Sequence, residues 1–526
     1  MLMRESPLSA SQVSCLSDYD FLALSKSEAP DDVGIGGQGG ALRPGGAPLL
    51  RSKEVIGLLC QYWAIGFVLG GLKALRLPVF NYYFNLPGYQ ITAASALVAL
   101  GWSFKVFIGL VSDCIPLCGY RRKGYMLLGW TLCLAFTLSL ALVSWSGQST
   151  ILLSMGASFG SVIAVVASDA VLVDMAQREP VSIRGQLQTA MYSLRTIGNM
   201  AATLLVGVGL NSSQYGGHFT FSLSLSTFFW CLAIPSLAAI PCTICLVVEP
   251  TAVSQTIRAY AASLWSLLQS RVVWQILLFK FWNHLFHSIG STATPGIAKI
   301  WCRVQPINSM VAHIVGFLFF LVTLVVTGRY GLQWNWRTVI WSTTIAVTGI
   351  DATVTYLIIF NVIRSEWFYL GVPLAEQFPI AVAFMVATFM SVEVADLGNE
   401  GVVYGLLTTV SNLTAPVSAM LTNLISAFFD IETPFLILDT LYVRSQVAIS
   451  YAIAYGTTGL ALIALVLCPR QKAELQALKQ RGERSPIAGA AVVVGVVGCL
   501  AIAVASNVMS VSSGMSCSIF AGGKGC

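Results

Sequence analysis

Thirteen stretches of this 526-residue chain each run for about 20 residues or more with few charges, and no other feature limits its fold as strictly. They lie near 55–84, 91–111, 124–145, 149–172, 186–210 and 221–248, then near 272–295, 307–327, 338–361, 370–394, 401–428 and 445–468, and last at 487–511. A helix of ~20 residues crosses a hydrocarbon layer roughly 30 Å thick, and in lipid it satisfies its own backbone hydrogen bonds. Strands of a membrane barrel would instead show ~10-residue segments of alternating character. With 56% hydrophobic and 10% charged residues, the chain also lacks the polar side chains needed to coat a set of soluble domains. The predicted fold is an all-α polytopic membrane protein.

The same pattern divides the chain. Residues 1–54, which include "GIGGQGGALRPGGAP", are rich in Gly and Pro, lack periodicity and hold no signal-peptide core, which predicts a disordered tail ahead of an uncleaved first helix. Residues 55–248 and 272–468 make two sets of six helices joined by a connection at 249–271. A basic segment at 469–486 precedes the thirteenth run at 487–511, and 512–526 form a second tail. With the N-terminus in the cytoplasm, nineteen of the 29 Lys and Arg residues fall in cytoplasmic segments, Arg121, Arg122 and Lys123 among them. Seven fall on the other side, Lys73 and Arg76 among them, and Lys105, Arg195 and Lys280 lie within helices. The positive-inside rule thus orients the N-terminus to the cytoplasm, and an odd helix count puts 512–526 outside. Topology accounts for the net charge of +6 without a nucleic-acid partner.

Most of the 13 cysteines sit in apolar runs, where thiols act as small hydrophobes. The CxxC in "PCTIC" at 241–245 has no companion ligands and reads as packing, and no metal site is expected. Cys517 and Cys526 in the outer tail are the pair to consider for a disulfide. Asn211 in "NSS" falls in an outer loop and is a glycosylation candidate, whereas Asn412 in "NLT" falls inside a helix.

Charges inside the apolar runs mark function, because a cation at a helix centre costs roughly 2.5 to 3.5 kcal/mol on insertion scales and so needs a wet cavity or a counter-charge. Lys105 lies eight residues before Asp113, about 12 Å from the cytoplasmic end of the second run. Arg195 and Lys280 sit at similar depth, and three cations from different helices suit an anionic ligand. Asp169 and Asp351 complement them as ligand contacts, as carriers of a coupling proton, or as internal salt-bridge partners, for example Asp169 with Arg195. Asp174 lies about 140° around the helix from Asp169, so the two cannot share a face. Lys280, His284 and His287 form one helical stripe, open to inter-helix hydrogen bonding or to a proton-linked role. The spacings Gly66 to Gly70 and Gly156 to Gly160 predict close helix packing.

The second run and the loop after it read "GWSFKVFIGLVSDCIPLCGYRRKGY", residues 101–125. Gly109 and Asp113 are spaced as in the general major facilitator motif between helices 2 and 3. The whole pattern, through Trp102, Lys105, Gly109, Ser112, Asp113, Pro116, Gly119, Tyr120, Arg121 and Arg122, resembles the folate-biopterin transporter family. "SDAVLVDMAQ" (168–177), "RGQLQTAMYSLRTIGN" (184–199) and, more loosely, "EGVVYGLLTTVSNL" (400–413) extend the resemblance, and the helix after 486 is similar to an addition found in oomycete members. Gly101 stands where the family pattern has Pro.

The resemblance implies a major facilitator fold of two six-helix bundles plus an extra C-terminal helix. It implies a secondary transporter of folate or pterin-like solutes working by alternating access and driven by proton symport, in the plasma membrane and as a monomer. Lys105, Arg195, Lys280, Asp169 and Asp351 are then the substrate-binding candidates, and Asp169, Asp174, His284 and His287 the proton-coupling ones. Asp113, Arg121, Arg122, Gly109 and Gly119 form a gate latch that locks the two halves at the cytoplasmic mouth, while Arg329 and Arg337 occupy the matching loop of the second half without an acid between them. A facilitator for another organic anion and a non-transporting receptor remain the alternatives. No nucleotide-binding loop, catalytic constellation or cofactor motif appears, which argues against an enzyme.

Overall fold

The computed structural model describes residues 46, 48–176, 178, 186–249, 256–330, 334–394, 400–512 and 514–523. The tail before residue 46 and Cys526 lie outside the described residues. Helices dominate: α1 Lys53–Tyr83, α2 Gly88–Cys114, α3 Lys123–Leu142, α4 Gly147–Ala176, α5 Gln186–Gly209 and α6 Leu225–Leu246 make the first half. A linker helix, Ile257–Gln269, leads to α7 Arg271–His287, α8 Pro306–Tyr330, α9 Trp336–Ile359, α10 Glu366–Val394, α11 Glu400–Ser426 and α12 Leu441–Val466. A short helix, Lys472–Gln480, precedes α13 Pro486–Val511. Among the described residues, eight helices are long and apolar enough to cross a membrane. We call the end that carries Arg121–Lys123 the basic end and the opposite one the distal end.

Small residues set how closely the helices approach. A Cβ at Gly66 on α1 would stand 1.9 Å from the Arg195 carbonyl oxygen of α5, and one at Gly70 would stand 2.4 Å from Asn199 Oδ1. Gly160 on α4 would meet the Cys133 nitrogen of α3 at 2.7 Å. Both glycine spacings read from the sequence therefore mark crossings that no larger residue allows.

Three breaks in helical regularity shape the interior. Pro78 supplies no N–H, and around it α1 winds as a π-helix over Arg76–Tyr83, with Val79 N and Phe80 N both donating to Leu75 O at 3.0 and 3.1 Å. In α2 a 3₁₀ turn, Leu100–Phe104, precedes Lys105. In α7 the helix stops at His287, and the chain resumes helical form at Thr294–Gly296 and Ile297–Trp301.

The halves meet along the seam between α2 and α11. Pro416 in α11 cannot donate to Asn412 O, and Ser103 Oγ from α2 takes that place at 3.1 Å. Thr409 Oγ1 accepts from Val106 N at 3.1 Å. Nearer the distal end, Asn81 Nδ2 donates to Pro295 O at 2.7 Å, Tyr82 OH to Val304 O at 2.9 Å, and Lys299 Nζ to Asn81 O and Asn85 Oδ1 at 2.8 and 2.6 Å. Among the described residues, the hydrogen bonds joining the halves lie between the distal end and the level of Val106.

The run at 487–511 coincides with α13, which packs on α11 and α2. Leu500, Ala503 and Val511 are buried in the core cluster of the first half, and Asn507 Nδ2 donates to Pro416 O at 2.8 Å. Cys517 is disulfide-bonded, with a partner outside the described residues. Lys73 and Arg76, counted from the sequence as an outer pair, both lie inside α1. Asn211 is fully buried and its Oδ1 accepts from Ile307 N at 3.2 Å, so the folded chain presents no amide there for a glycan.

Candidate functional site

Lys105 emerges where the 3₁₀ turn of α2 ends, in the interior of the first half. Its Nζ is 2.9 Å from Asp169 Oδ2 on α4, and the pair retains only 13% and 23% side-chain exposure. Tyr62 OH on α1 donates to the other oxygen, Asp169 Oδ1, at 2.6 Å. Lys105 Nζ also stands 5.1 Å from the centroid of Trp102, three residues earlier on the same helix. Arg195 on α5 approaches that indole too, with Cζ 5.0 Å from the centroid, and makes no ion pair among the described residues. Tyr192, one turn before Arg195, packs edge-on against Tyr62 with ring centroids 5.8 Å apart.

Four helices of one half thus converge on two cations, one carboxylate and three aromatic rings. Asp169 neutralises Lys105, which leaves Arg195 as the uncompensated charge. An arginine resting on an indole face is partly desolvated and oriented, yet keeps its planar donor fork available to a carboxylate. The exposed face of Tyr192 offers a surface for a flat ring.

The other candidates stand apart from this cluster. Lys280 on α7 is 5% exposed, and no hydrogen bond, ion pair or ring contact among the described residues joins it to Lys105 or Arg195. His284 Nδ1 is 3.2 Å from Lys280 O, so that ring is engaged with its own helix, and His287 lies at the helix end. Asp351 on α9 accepts from Thr355 Oγ1 and Tyr455 OH, each at 3.2 Å. Asp174 is half-buried on α4, and Asp169 is the carboxylate that meets Lys105.

The proposed gate forms a network within the first half. Asp113 Oδ1 is 2.5 Å from Arg122 Nη2 and 3.3 Å from Arg121 Nη2, while Arg122 Nη1 donates to Ser112 Oγ at 2.9 Å. Gly119 adopts φ +82°, where a side chain would be strained, and so lets the loop turn back. A Cβ at Gly109 would meet only Val166 Cγ1, at 4.0 Å, an ordinary contact. The N-terminal end of α3 is capped by Glu249, whose carboxylate accepts from the backbone N–H groups of Arg121, Arg122 and Lys123 at 3.0, 2.9 and 2.8 Å. In the second half, Arg337 meets an acid from outside its loop: Glu474 Oε1 stands 3.7 Å from its Nη2. Glu249 follows α6 and Glu474 follows α12, so each half ties its loop with an acid supplied just after its last helix.

Tyr62 and Glu249 were missed because a tyrosine in an apolar run and a lone acid in "VVEP" carry no spacing signal. Lys73 and Arg76 did carry one, since they interrupt an apolar run as Lys105 does.

The model of the BT1 family matches residues 69–439. The chain is 27% identical over 408 residues to the folate-biopterin transporter of Synechocystis, covering 74% of this chain and 78% of that one. It is 28% identical over 141 residues to folate transporter 1 of Plasmodium falciparum, covering 27% of this chain and 28% of the other. Among solved structures, a POT family transporter bound to 5-aminolevulinic acid superposes with a TM-score of 0.58 at 12% identity, over 77% of this chain and 95% of that one. A peptide transporter POT bound to sulfate gives 0.58 at 14% identity, over 81% and 96%. These likenesses place the fold among transporters of the major facilitator type.

Proposed function

Given that this chain belongs to the BT1 family, and is accordingly a multi-pass membrane transporter and not an enzyme, we propose that it carries folate or a pterin-like solute by alternating access coupled to protons. One observation carries the substrate reading: Arg195 is uncompensated beside Trp102 and Tyr192, in a site where the other cation is already matched to Asp169. The guanidinium suits a carboxylate of the glutamate tail, and the aromatic faces suit a flat bicyclic ring.

The Lys105 and Asp169 pair supplies a coupling device. Protonation of Asp169 would release Lys105, and the freed ammonium would then hold a solute carboxylate next to Arg195. Proton and carboxylate would thereby enter together without changing the net charge of the interior. Alternating access draws support from the seam, where the hydrogen bonds that join the halves among the described residues lie between the distal end and Val106. With the N-terminus cytoplasmic and the chain in the plasma membrane, this arrangement is closed outside and open inward.

Counterflow of labelled folate in proteoliposomes tests the proposal. A carrier exchanges external label for internal folate, faster when the interior is alkaline. Binding without exchange would make the chain a receptor. Exchange of p-aminobenzoylglutamate without any competition by biopterin would favour a carrier of another organic anion, a reading that rests on Arg195 sensing charge alone.

A further inference from the structure

A second cationic region lies in the seam between the halves, away from Lys105. Arg76, in the π-helical part of α1, lines a cavity of about 300 Å³ together with Thr92, Ser95, Ser291, Ser418 and Thr422, drawn from α2, the break in α7, and α11. The volume is at the lower end of ligand cavities and suits an amino-acid-sized acid or the acidic end of a longer solute. Ser95 precedes Lys105 by ten residues on α2, which separates the two regions by about 15 Å along the helix.

The electrostatics there are one-sided. Among the described residues Arg76 makes no ion pair or hydrogen bond, and the carboxylates of Asp351 and Glu376 stand beyond it, on the far side of Tyr369 and without a contact to the guanidinium. The titratable groups that face it are Tyr369 on α10 and Tyr451 on α12, with Lys73 on α1 adding positive charge and His313 on α8 close to both cations. Arg76, Lys73 and His313 each keep exposed surface, and Arg76 turns to the cavity. An arginine stays charged in any protein environment, and one that lines a cavity without a counter-charge is available to an anion that enters it.

We propose that Arg76 and the surrounding hydroxyls form a second anion subsite, which takes the carboxylate of a small acid or of the solute's acidic end on its way between the distal mouth and the Arg195 site. It rests on the transport reading for the identity of the solute, and on the cavity alone for its preference for carboxylates. The hydrogen bonds of Asn81 and Lys299 to the opposite half close the distal end beside it, so a solute released from Arg76 leaves only when those contacts open.

The test is protection of Arg76 from phenylglyoxal, read by peptide mass spectrometry on the full chain in nanodiscs. p-Aminobenzoylglutamate and folate should slow modification of Arg76 at least five-fold, and should still do so in Lys105→Ala. Neutral biopterin should give no protection, and neither should replacing phosphatidylcholine with phosphatidylglycerol. In parallel, Arg76→Gln should weaken p-aminobenzoylglutamate binding about ten-fold without changing biopterin binding. Failure of both acids to protect, or equal protection by biopterin, overturns the subsite, and protection by anionic lipid alone assigns the charge to a headgroup and overturns it too. Protection by p-aminobenzoylglutamate but not folate keeps the subsite and removes the folate reading. Folate binding with Arg76 unprotected does the reverse.

Discussion

Lys105 and Arg195 reach the same indole, at 5.1 and 5.0 Å from the centroid of Trp102, but only Lys105 has a carboxylate, Asp169 at 2.9 Å. Two cations of equal formal charge therefore have different work available to them. Lys105 is held in a pair that must open before it can serve a solute, whereas Arg195 can receive an anion directly.

Arg195→Gln should consequently weaken folate binding more than it perturbs the fold. Loss of a charge-assisted hydrogen bond worth roughly 1.5 to 3 kcal/mol raises the Kd about ten-fold or more. Biopterin, without the glutamate tail, should bind the variant nearly as well as wild type. Equilibrium binding of both ligands to purified protein measures the ratio, and equal losses would move Arg195 from the tail to the ring.

Lys105→Ala should behave differently, because it strands Asp169. Breaking a buried pair costs roughly 3 to 5 kcal/mol, and the 23% exposure of Asp169 reduces that here. The single variant should lose thermal stability, and Asp169→Asn added to it should recover most of the loss. Recovery of stability without recovery of proton-driven uptake would identify the pair as the coupling element. A double variant no more stable than the single one would show that the pair contributes little to the fold.

Much of this arrangement was legible in the sequence, for a simple reason. A charge in a lipid-spanning run is costly enough to announce itself, so Lys105, Asp169 and Arg195 could be singled out, and the apolar runs marked the helices. Pairing was not legible. Sequence spacing could not decide whether Asp169 meets Lys105 or Arg195, because that depends on how α2, α4 and α5 rotate against each other. Nor could it show that Lys280 lies apart from the other two cations, since depth along a helix says nothing of the face. Glu249 was invisible for a different reason: its three acceptor contacts are to backbone, and backbone donors leave no residue pattern.

That cap can be tested directly. Glu249→Gln should lower stability by about 1 kcal/mol, the usual effect of losing a helix N-terminal cap, and should speed amide exchange at Arg121, Arg122 and Lys123. Asp113→Asn should leave those amides protected while freeing both guanidinium groups. If the two variants gave the same exchange pattern, cap and latch would be one unit and not two.

The distal end of the second half carries a clasp with a defined pH range. Asp439 accepts from Arg364 at 2.7 and 2.9 Å and from Arg444 at 2.9 Å on each oxygen, and Arg364 stacks on Trp301 at 4.3 Å. Burial pushes the Asp439 carboxyl up, but the hydrogen bonds and charges of both arginines outweigh it and hold the group down at about 2. A carboxyl depressed in the folded state stabilises above its unfolded value of ~3.9 and loses that contribution as pH falls toward the folded one. Asp439→Asn should therefore lower Tm by the same amount at pH 7.5 and pH 5, and the difference should shrink below about pH 3.5. A difference that disappears by pH 5 would make the clasp part of the proton response.

The last test concerns the seam beside the site. Pro416 removes the N–H that an unbroken α11 would give to Asn412 O, and Ser103 Oγ from the other half occupies that acceptor. Ser103 is 1% exposed, so water cannot replace it. Ser103→Ala alone should cost about 1 kcal/mol or somewhat more, because it leaves a buried carbonyl unsatisfied. In a Pro416→Ala background the helix restores its own hydrogen bond, and the same Ser103→Ala change should cost almost nothing. The two substitutions are thus expected to be strongly non-additive in a double-mutant cycle read by thermal unfolding. Additive effects would mean that the serine and the proline act separately, and that α2 and α11 are held together by shape alone. Non-additivity would show that the proline in one half creates the acceptor by which the other half holds α2, and with it Lys105, in place.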